Sequence, residues 1–307
     1  MQEKWRKSLA VLMACLVFMG MFLGWNPIKS VQAEDVYFSG GSGTKENPYL
    51  ISSKSDLEML SKVINIEDAS ISYKTAYYYQ TNDINLNNEA WAPIGIQWNG
   101  SDYKSNLIFS GYYDGGGHTV SGLNVIGSYM YAGLFGRIGS GDYGSAIVKN
   151  LHVEGNVSPT YSLMAGGICG EIGEGSSVLN CSFSGTVSGV DADGIVGGVV
   201  GKIYRNGTVK NCYFNGTLYN KSNHSTAGVV GKASIEYGYN YLYNCYATGS
   251  IENTEYSGGV IRIDKIDNGA NLNIKNCYYS FESDVKGINK ASSVMGDFES
   301  AAESISK

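Results

Sequence analysis

The stretch Val178-Leu179-Asn180-Cys181-Ser182-Phe183-Ser184-Gly185-Thr186-Val187 sets a frame around one asparagine. Apolar residues stand two positions before Asn180 and one, three and seven after it, with a glycine at the fifth. Asn150, Asn180, Asn211, Asn244 and Asn276 follow one another at 30, 31, 33 and 32 residues; the first four carry the same frame, and the last keeps it except that Phe281 replaces the glycine and Ser283 the last apolar residue. Val148, Val178, Val209, Leu242 and Ile274 stand two before, and Leu151, Cys181, Cys212, Cys245 and Cys277 one after. Val153, Phe183, Phe214, Ala247 and Tyr279 stand three after. A glycine-rich apolar segment leads into each frame, as in Ala165-Gly166-Gly167-Ile168-Cys169-Gly170 and Val196-Gly197-Gly198-Val199-Val200-Gly201. Alternation with period two is the pattern of strands. A fixed period near thirty is that of a solenoid.

One such repeat cannot bury its apolar face alone and must stack on its neighbours. Upstream, Val120-Ser121-Gly122-Leu123-Asn124-Val125 fits the frame with glycine in place of asparagine. Gly and Asn most readily take a left-handed backbone, so the position reads as a sharp bend. The expected fold is all-β: a right-handed parallel β-helix of about six coils over residues 105–285, its hand following the crossover rule. Stacked equivalents then lie ~4.8 Å apart. The five asparagines become a ladder of amides, and Cys181, Cys212, Cys245 and Cys277 an internal column of small buried hydrophobes. A disulfide between stacked cysteines is the alternative.

Open solenoid ends need covers. Residues 34–104 form an N-terminal cap and lead-in, in which Ser55-Asp56-Leu57-Glu58 reads as a capping box before Leu60, Val63 and Ile64. Residues 286–307 form a C-terminal cap, with Val294, Met295, Phe298, Ala301, Ala302 and Ile305 on a helical stripe.

Composition supports strands joined by tight turns: among 307 residues there are 41 Gly and 24 Tyr but only 4 Pro. Glycine is too sparse for collagen, and 43% hydrophobic with 16% charged residues excludes a disordered tail. A net charge of −6 with scattered Lys and Arg excludes a nucleic-acid partner. At the N-terminus, Lys4, Arg6 and Lys7 precede the uncharged run Leu9–Trp25, and Val31-Gln32-Ala33 ends a polar stretch. These features read as a secretory signal peptide over residues 1–33, cleaved after Ala33. The rivals are an uncleaved anchor, for which the run is short, and a lipoprotein box at Leu12-Met13-Ala14-Cys15, beyond which the chain stays apolar. After cleavage no membrane span remains, and five cysteines are left, an odd number for a complete disulfide framework.

Tyr131-Ala132-Gly133-Leu134-Phe135-Gly136 and its echoes resemble the GLUG-motif repeats of bacterial surface and secreted proteins. Phe38-Ser39-Gly40-Gly41-Ser42-Gly43-Thr44, Asn47-Pro48-Tyr49-Leu50-Ile51, Trp91-Ala92-Pro93-Ile94-Gly95 and Phe109-Ser110-Gly111-Tyr112-Tyr113-Asp114 extend the likeness over about residues 36–300. The resemblance implies an exported or cell-surface bacterial β-helix. Some relatives adjoin metalloprotease domains of the IgA-peptidase type or carry wall-sorting signals. This chain has neither an HExxH motif nor an LPxTG-like tail, so neither property carries over. The resemblance brings no catalytic residue.

Catalysis on a β-helix would need paired carboxylates about a glycosidic bond, or acids holding calcium. The tightest acidic pair, Asp191 and Asp193, reads as a solvated loop, and Asp114 as a turn residue before Gly115-Gly116-Gly117. His118, His152 and His224 lack metal-ligand spacing. No catalytic residue, metal or cofactor is therefore assigned. Aromatic residues are the unusual feature. Tyr213, Tyr246 and Tyr278 hold equivalent outward positions, and Tyr241 and Tyr243 flank the inward Leu242. Lys210 and Lys275 neighbour Tyr243 in adjacent coils. Together these seven residues are expected on one side of the C-terminal half, as an aromatic platform for a glycan or a host or cell-surface protein. Cross-strand packing alone would also account for the tyrosines. The leading expectation is a secreted or surface binding protein of the adhesion type. Its alternatives are a polysaccharide lyase or glycoside hydrolase with loop-borne carboxylates, and a structural spacer.

Overall fold

The computed structural model describes residues 38–304, without 67–69, 97–106, 140–141, 190–193, 222–223, 236–237, 253–255, 267–269, 283–284 and 291–301. The leader expected over residues 1–33, the pair Asp191 and Asp193, and Tyr237, the first of the alternating tyrosines that run on through Tyr239, Tyr241 and Tyr243, lie outside the described residues.

The chain winds as a parallel β-solenoid of about seven turns. A 14-stranded sheet and a 10-stranded sheet form its walls. The larger sheet stacks Tyr49–Ile51, Tyr77–Gln80, Tyr112–Asp114, Ile147–Val157, Ser177–Gly189, Tyr213–Asn220, Tyr246–Glu252 and Cys277–Phe281. The glycine-rich segments form the smaller sheet, four of them broken by a bend into two short strands such as Met164–Gly166 and Cys169–Ile172, and the last continuous as Ser257–Ile266. The turn count exceeds the repeat count because Tyr49–Ile51 and Tyr77–Gln80 join the same stack in parallel.

Each coil turns at its asparagine. Asn150, Asn180, Asn211, Asn244 and Asn276 have φ of 53°, 53°, 56°, 53° and 52°. A single left-handed residue shifts the alternation, so the apolar positions either side of it all face inward. Val178, Cys181, Phe183 and Val187 are accordingly buried in one coil, and Val209, Cys212, Phe214 and Leu218 in the next. Phe183 and Phe214 stack with centroids 6.3 Å apart and planes 7° apart. The glycine opposite each ring explains the composition of the facing sheet: a Cβ on Gly167 would lie 2.0 Å from Phe183 Cγ, and one on Gly198 2.3 Å from Phe214 Cγ. At these two coils only glycine leaves room for the aromatic ring opposite.

The asparagine side chains link the coils as the strands do. Asn180 Nδ2 donates to Asn150 Oδ1 at 2.9 Å, Asn211 to Asn180 at 2.8 Å, Asn244 to Asn211 at 2.9 Å and Asn276 to Asn244 at 3.1 Å. Inside the bend, the thiols of Cys181, Cys212, Cys245 and Cys277 are buried and free. Each donates to the carbonyl two residues back, at 3.2 to 3.4 Å. Burial pushes the Cys181 and Cys245 thiols well up, which keeps them protonated.

Three expectations need correction. Gly122 does not take the asparagine position: Val120 pairs with Val153 and Leu123 with Gly155, with a register shift between. The equivalent bend lies earlier, at Asp114–Gly117, where Gly117 N–H reaches Asn150 O at 2.8 Å. Helix Lys54–Ile64 is capped by Ser53, two residues before the expected start. Asp56, three residues after the cap, serves the box: Ser53 Oγ accepts from Asp56 N–H at 3.2 Å and donates to Asp56 Oδ2 at 2.8 Å. Its inner face, Leu57, Leu60, Val63 and Ile64, is buried, and Asn65 Nδ2 ties the helix end to Pro93 O at 2.8 Å. At the far end Ala302–Ser304 is a strand paired with Cys277–Phe281, where a helix was expected. The rest of that stripe, Val294, Met295, Phe298, Ala301 and Ile305, lies outside the described residues.

Two substitutions test this framework. Gly167→Ala drives a methyl into Phe183 and is expected to cost about 1–3 kcal/mol. A double cycle with Phe183→Leu, followed by chemical denaturation, should recover part of that loss. Asn211→Gly keeps the bend but removes two ladder bonds of roughly 0.5–1.5 kcal/mol each. Asn211→Ala adds the left-handed strain of about 1–2 kcal/mol and should melt lower than Asn211→Gly.

Candidate functional site

The left-handed asparagine leaves the residue before it and the residue two after it both facing outward. Outward residues therefore form two columns, one on each side of the amide ladder. In the first, Lys210, Tyr243 and Lys275 are register neighbours, and Tyr241 lies between Thr208 and Asn273. In the second, Ser182, Tyr213, Tyr246 and Tyr278 follow in register. The seven expected residues thus occupy adjoining faces of the same coils, with Asn211, Asn244 and Asn276 exposed between them.

Within the second column, Tyr213 and Tyr246 stack with centroids 5.4 Å apart and planes 6° apart. Burial and the neighbouring Tyr246 push the Tyr213 phenol up, so the Tyr213 ring stays neutral. Tyr278 extends the column and is exposed. In the first column, Tyr241 and Tyr243 are tilted at 51° with centroids 5.8 Å apart, and Tyr239 prolongs the row with half its surface exposed. No ammonium–ring contact joins Lys210 or Lys275 to Tyr243 among the described residues. Such contacts lie elsewhere, with Lys149 Nζ 5.1 Å over Tyr112 and Lys202 Nζ 5.4 Å over Tyr204.

Toward the N-terminus the second column runs into a groove of about 570 Å³, lined by Tyr79, Asp114, Asn150, His152, Asn180 and Ser182 among others. Asp114 terminates the ladder: its Oδ1 accepts from Asn150 Nδ2 at 2.9 Å and from Gly116 N–H at 3.0 Å. Its Oδ2 pairs with Lys149 Nζ at 3.0 Å. Burial pushes this carboxyl up, but the bonds from Asn150, Lys149 and Gly116 outweigh it, and the group lies below the usual carboxylate range. Asp114 is therefore an ionised structural anion and a poor proton donor at neutral pH. Sequence reasoning gave it only a turn role, since nothing in one coil reveals the end of a ladder.

His152 and Ser182 were also missed as a pair, although they hold equivalent positions in consecutive coils. His152 Nδ1 lies 2.6 Å from Ser182 Oγ, and Nε2 lies 3.0 Å from Glu154 Oε1. The order of groups suits proton relay. The strand that carries Ser182 is engaged in ladders on both sides, with His152 and Tyr213 as its register partners. His118 sits apart, 3.3 Å from Asp83. Among the described residues no three His, Cys, Asp or Glu side chains cluster to hold a metal, and no helix is long and apolar enough to cross a membrane.

Residues 161–188 and 193–219 match the GLUG motif, so the chain carries GLUG-motif repeats. Each match spans a glycine-rich bend, the asparagine bend and the strand after it. A "Putative Gly-rich membrane protein" of Evansella cellulosilytica is 31% identical over 135 residues, which is 41% of this chain and 13% of that protein. "Halomucin" of Haloquadratum walsbyi is 31% identical over 156 residues, which is 48% of this chain and 2% of that protein. The chain thus matches only a small part of either relative. The crystal structure titled as a putative immunoglobulin A1 protease from Bacteroides ovatus superposes with a TM-score of 0.57 at 19% identity. The superposition covers 88% of this chain and 87% of that one, a likeness of fold alone.

The ladder's end makes a pH prediction. A depressed folded pKa stabilises above the unfolded value, ~3.9 for Asp, and the contribution is lost as pH falls through the folded pKa. Asp114→Asn keeps an acceptor for Asn150 but loses the ion pair. Its melting temperature should lie below wild type at pH 7, and the gap should close on acidification.

Proposed function

We propose that this GLUG-repeat protein is an exported surface protein that binds an extended ligand, a glycan chain in the first place, across its tyrosine faces. The observation that carries the reading is the Tyr213–Tyr246 stack, continued by Tyr278 and flanked by the Tyr239–Tyr241–Tyr243 row. Tyrosine offers an apolar face and a polar tip at small ordering cost, which suits the faces and hydroxyls of sugars. Cross-strand stacking holds the rings in place before any ligand arrives, which limits the entropy lost on binding. The N-terminal sequence, with its basic residues, apolar run and Ala33 cleavage site, supports export. The relatives' names, a membrane protein and a halomucin, support a place at the cell surface.

The test is Tyr243→Ser with Tyr246→Ser, assayed on a glycan array and by thermal melting. Binding of wild type to an arrayed glycan is expected to be lost by at least about tenfold, the equivalent of ~1.4 kcal/mol, while the melting temperature stays near wild type. Retained binding in a folded variant would move the site elsewhere. Lost stability without any glycan bound by wild type would make the tyrosines cross-strand packing and the protein a spacer.

A further inference from the structure

The three strands Thr208–Lys210, Gly238–Tyr243 and Ala270–Lys275 stack in parallel and share one outward face. Its centre is Tyr243, with Lys210 on the coil below and Lys275 on the coil above. Two coil steps place these lysines about 10 Å apart along the solenoid axis, with the ring between them. Both are exposed. Neither has a carboxylate within ion-pair distance among the described residues, whereas several other cations are committed. Lys54 pairs with Glu58 and Glu89, Lys149 with Asp114, and Arg137 and Lys202 share the buried Glu171. On a chain of net charge −6, two open ammonium groups thus bracket a tyrosine row on one face.

We propose that this face takes a carboxylated glycan whose chain lies along the solenoid axis, with an acidic sugar against each lysine and an intervening neutral ring on Tyr243. The inference rests on the tyrosine faces being the binding surface, and it adds ligand charge, direction and repeat. A sugar in an extended polysaccharide advances by about one coil step, so acidic sugars alternating with neutral ones recur at the spacing of Lys210 and Lys275. Tyr241 and Tyr239 then lie lateral to the chain, where Thr208 and Asn273 offer hydrogen bonds to ring substituents. Exposed ion pairs are individually weak and screened by salt. Charge selectivity therefore belongs to low ionic strength.

The full chain would be titrated calorimetrically with a hyaluronan hexasaccharide, in which carboxylated and neutral sugars alternate, and with neutral chitohexaose. Wild type is expected to bind the acidic chain about tenfold more tightly at low salt, an advantage two exposed ion pairs can supply. The advantage should vanish at high salt and in the double variant Lys210→Gln, Lys275→Gln, whose melting temperature should match wild type. Equal affinity for the two hexasaccharides, or an acidic preference that survives the lysine substitutions, would overturn the inference and leave the tyrosine surface standing. Binding of neither would overturn both. Equal binding of a single-stranded oligonucleotide at low salt would reduce the face to a nonspecific anion site and also overturn the inference.

Discussion

Everything in this solenoid depends on one left-handed residue per coil. Parallel strands stack only if each coil turns at the same angular position, since a slip of one residue exchanges the inner and outer faces. Asparagine meets both halves of that demand. It tolerates the left-handed backbone, as glycine does, and its amide then hydrogen-bonds to the amides above and below. Glycine would make the bend without the link. Val, Leu or Ile would oppose the bend. The ladder therefore holds the register of every column beside it, the buried thiols and the exposed tyrosines alike.

A ladder of amides also has a direction. Each Nδ2 donates toward the N-terminus, so the row begins with an acceptor position that no asparagine of the next coil can fill. Asp114 fills it, and a charged acceptor makes a stronger hydrogen bond than an amide would. Lys149 neutralises the carboxylate on its other oxygen, and the wider Asp114–Gly117 bend opens the groove there. Ladder end, groove and ion pair are consequences of the same discontinuity, where the regular coil gives way to the lead-in.

The regular coils were legible in the sequence because their constraint repeats: asparagine, inward apolar residues and facing glycine recur at one period. Legibility failed where the period did. Gly122 admits the frame because glycine satisfies the backbone rule as well as asparagine does, and only the register of Val120 against Val153 separates the two bends. Ser55 with Glu58 three positions on satisfies the capping pattern as well as Ser53 with Asp56 does. Ala302–Ser304 joined the sheet because an unpaired edge above Cys277–Phe281 outweighs the helical preference of a short stretch. For the surface, residue identities and outward direction could be read. The contacts between them, such as the Tyr213–Tyr246 stack, could not, because ring orientation depends on packing that residue spacing does not give.

The GLUG matches end at residue 219, and most of the tyrosine surface lies beyond them. Tyr241, Tyr243, Tyr246, Tyr278 and Lys275 belong to coils that keep the asparagine, the cysteine and the inward apolar positions while changing what faces out. What the repeat fixes is the interior and the bends, since those positions touch the coil above and the coil below. Outward positions touch only their column neighbours, so a column can turn from His152 and Ser182 to Tyr213, Tyr246 and Tyr278 without disturbing a single inward contact. Likeness to another GLUG protein therefore transmits the coil and leaves the ligand open. The surface columns, spaced by the strand ladder at ~4.8 Å, are where one solenoid can differ from the next in what it holds.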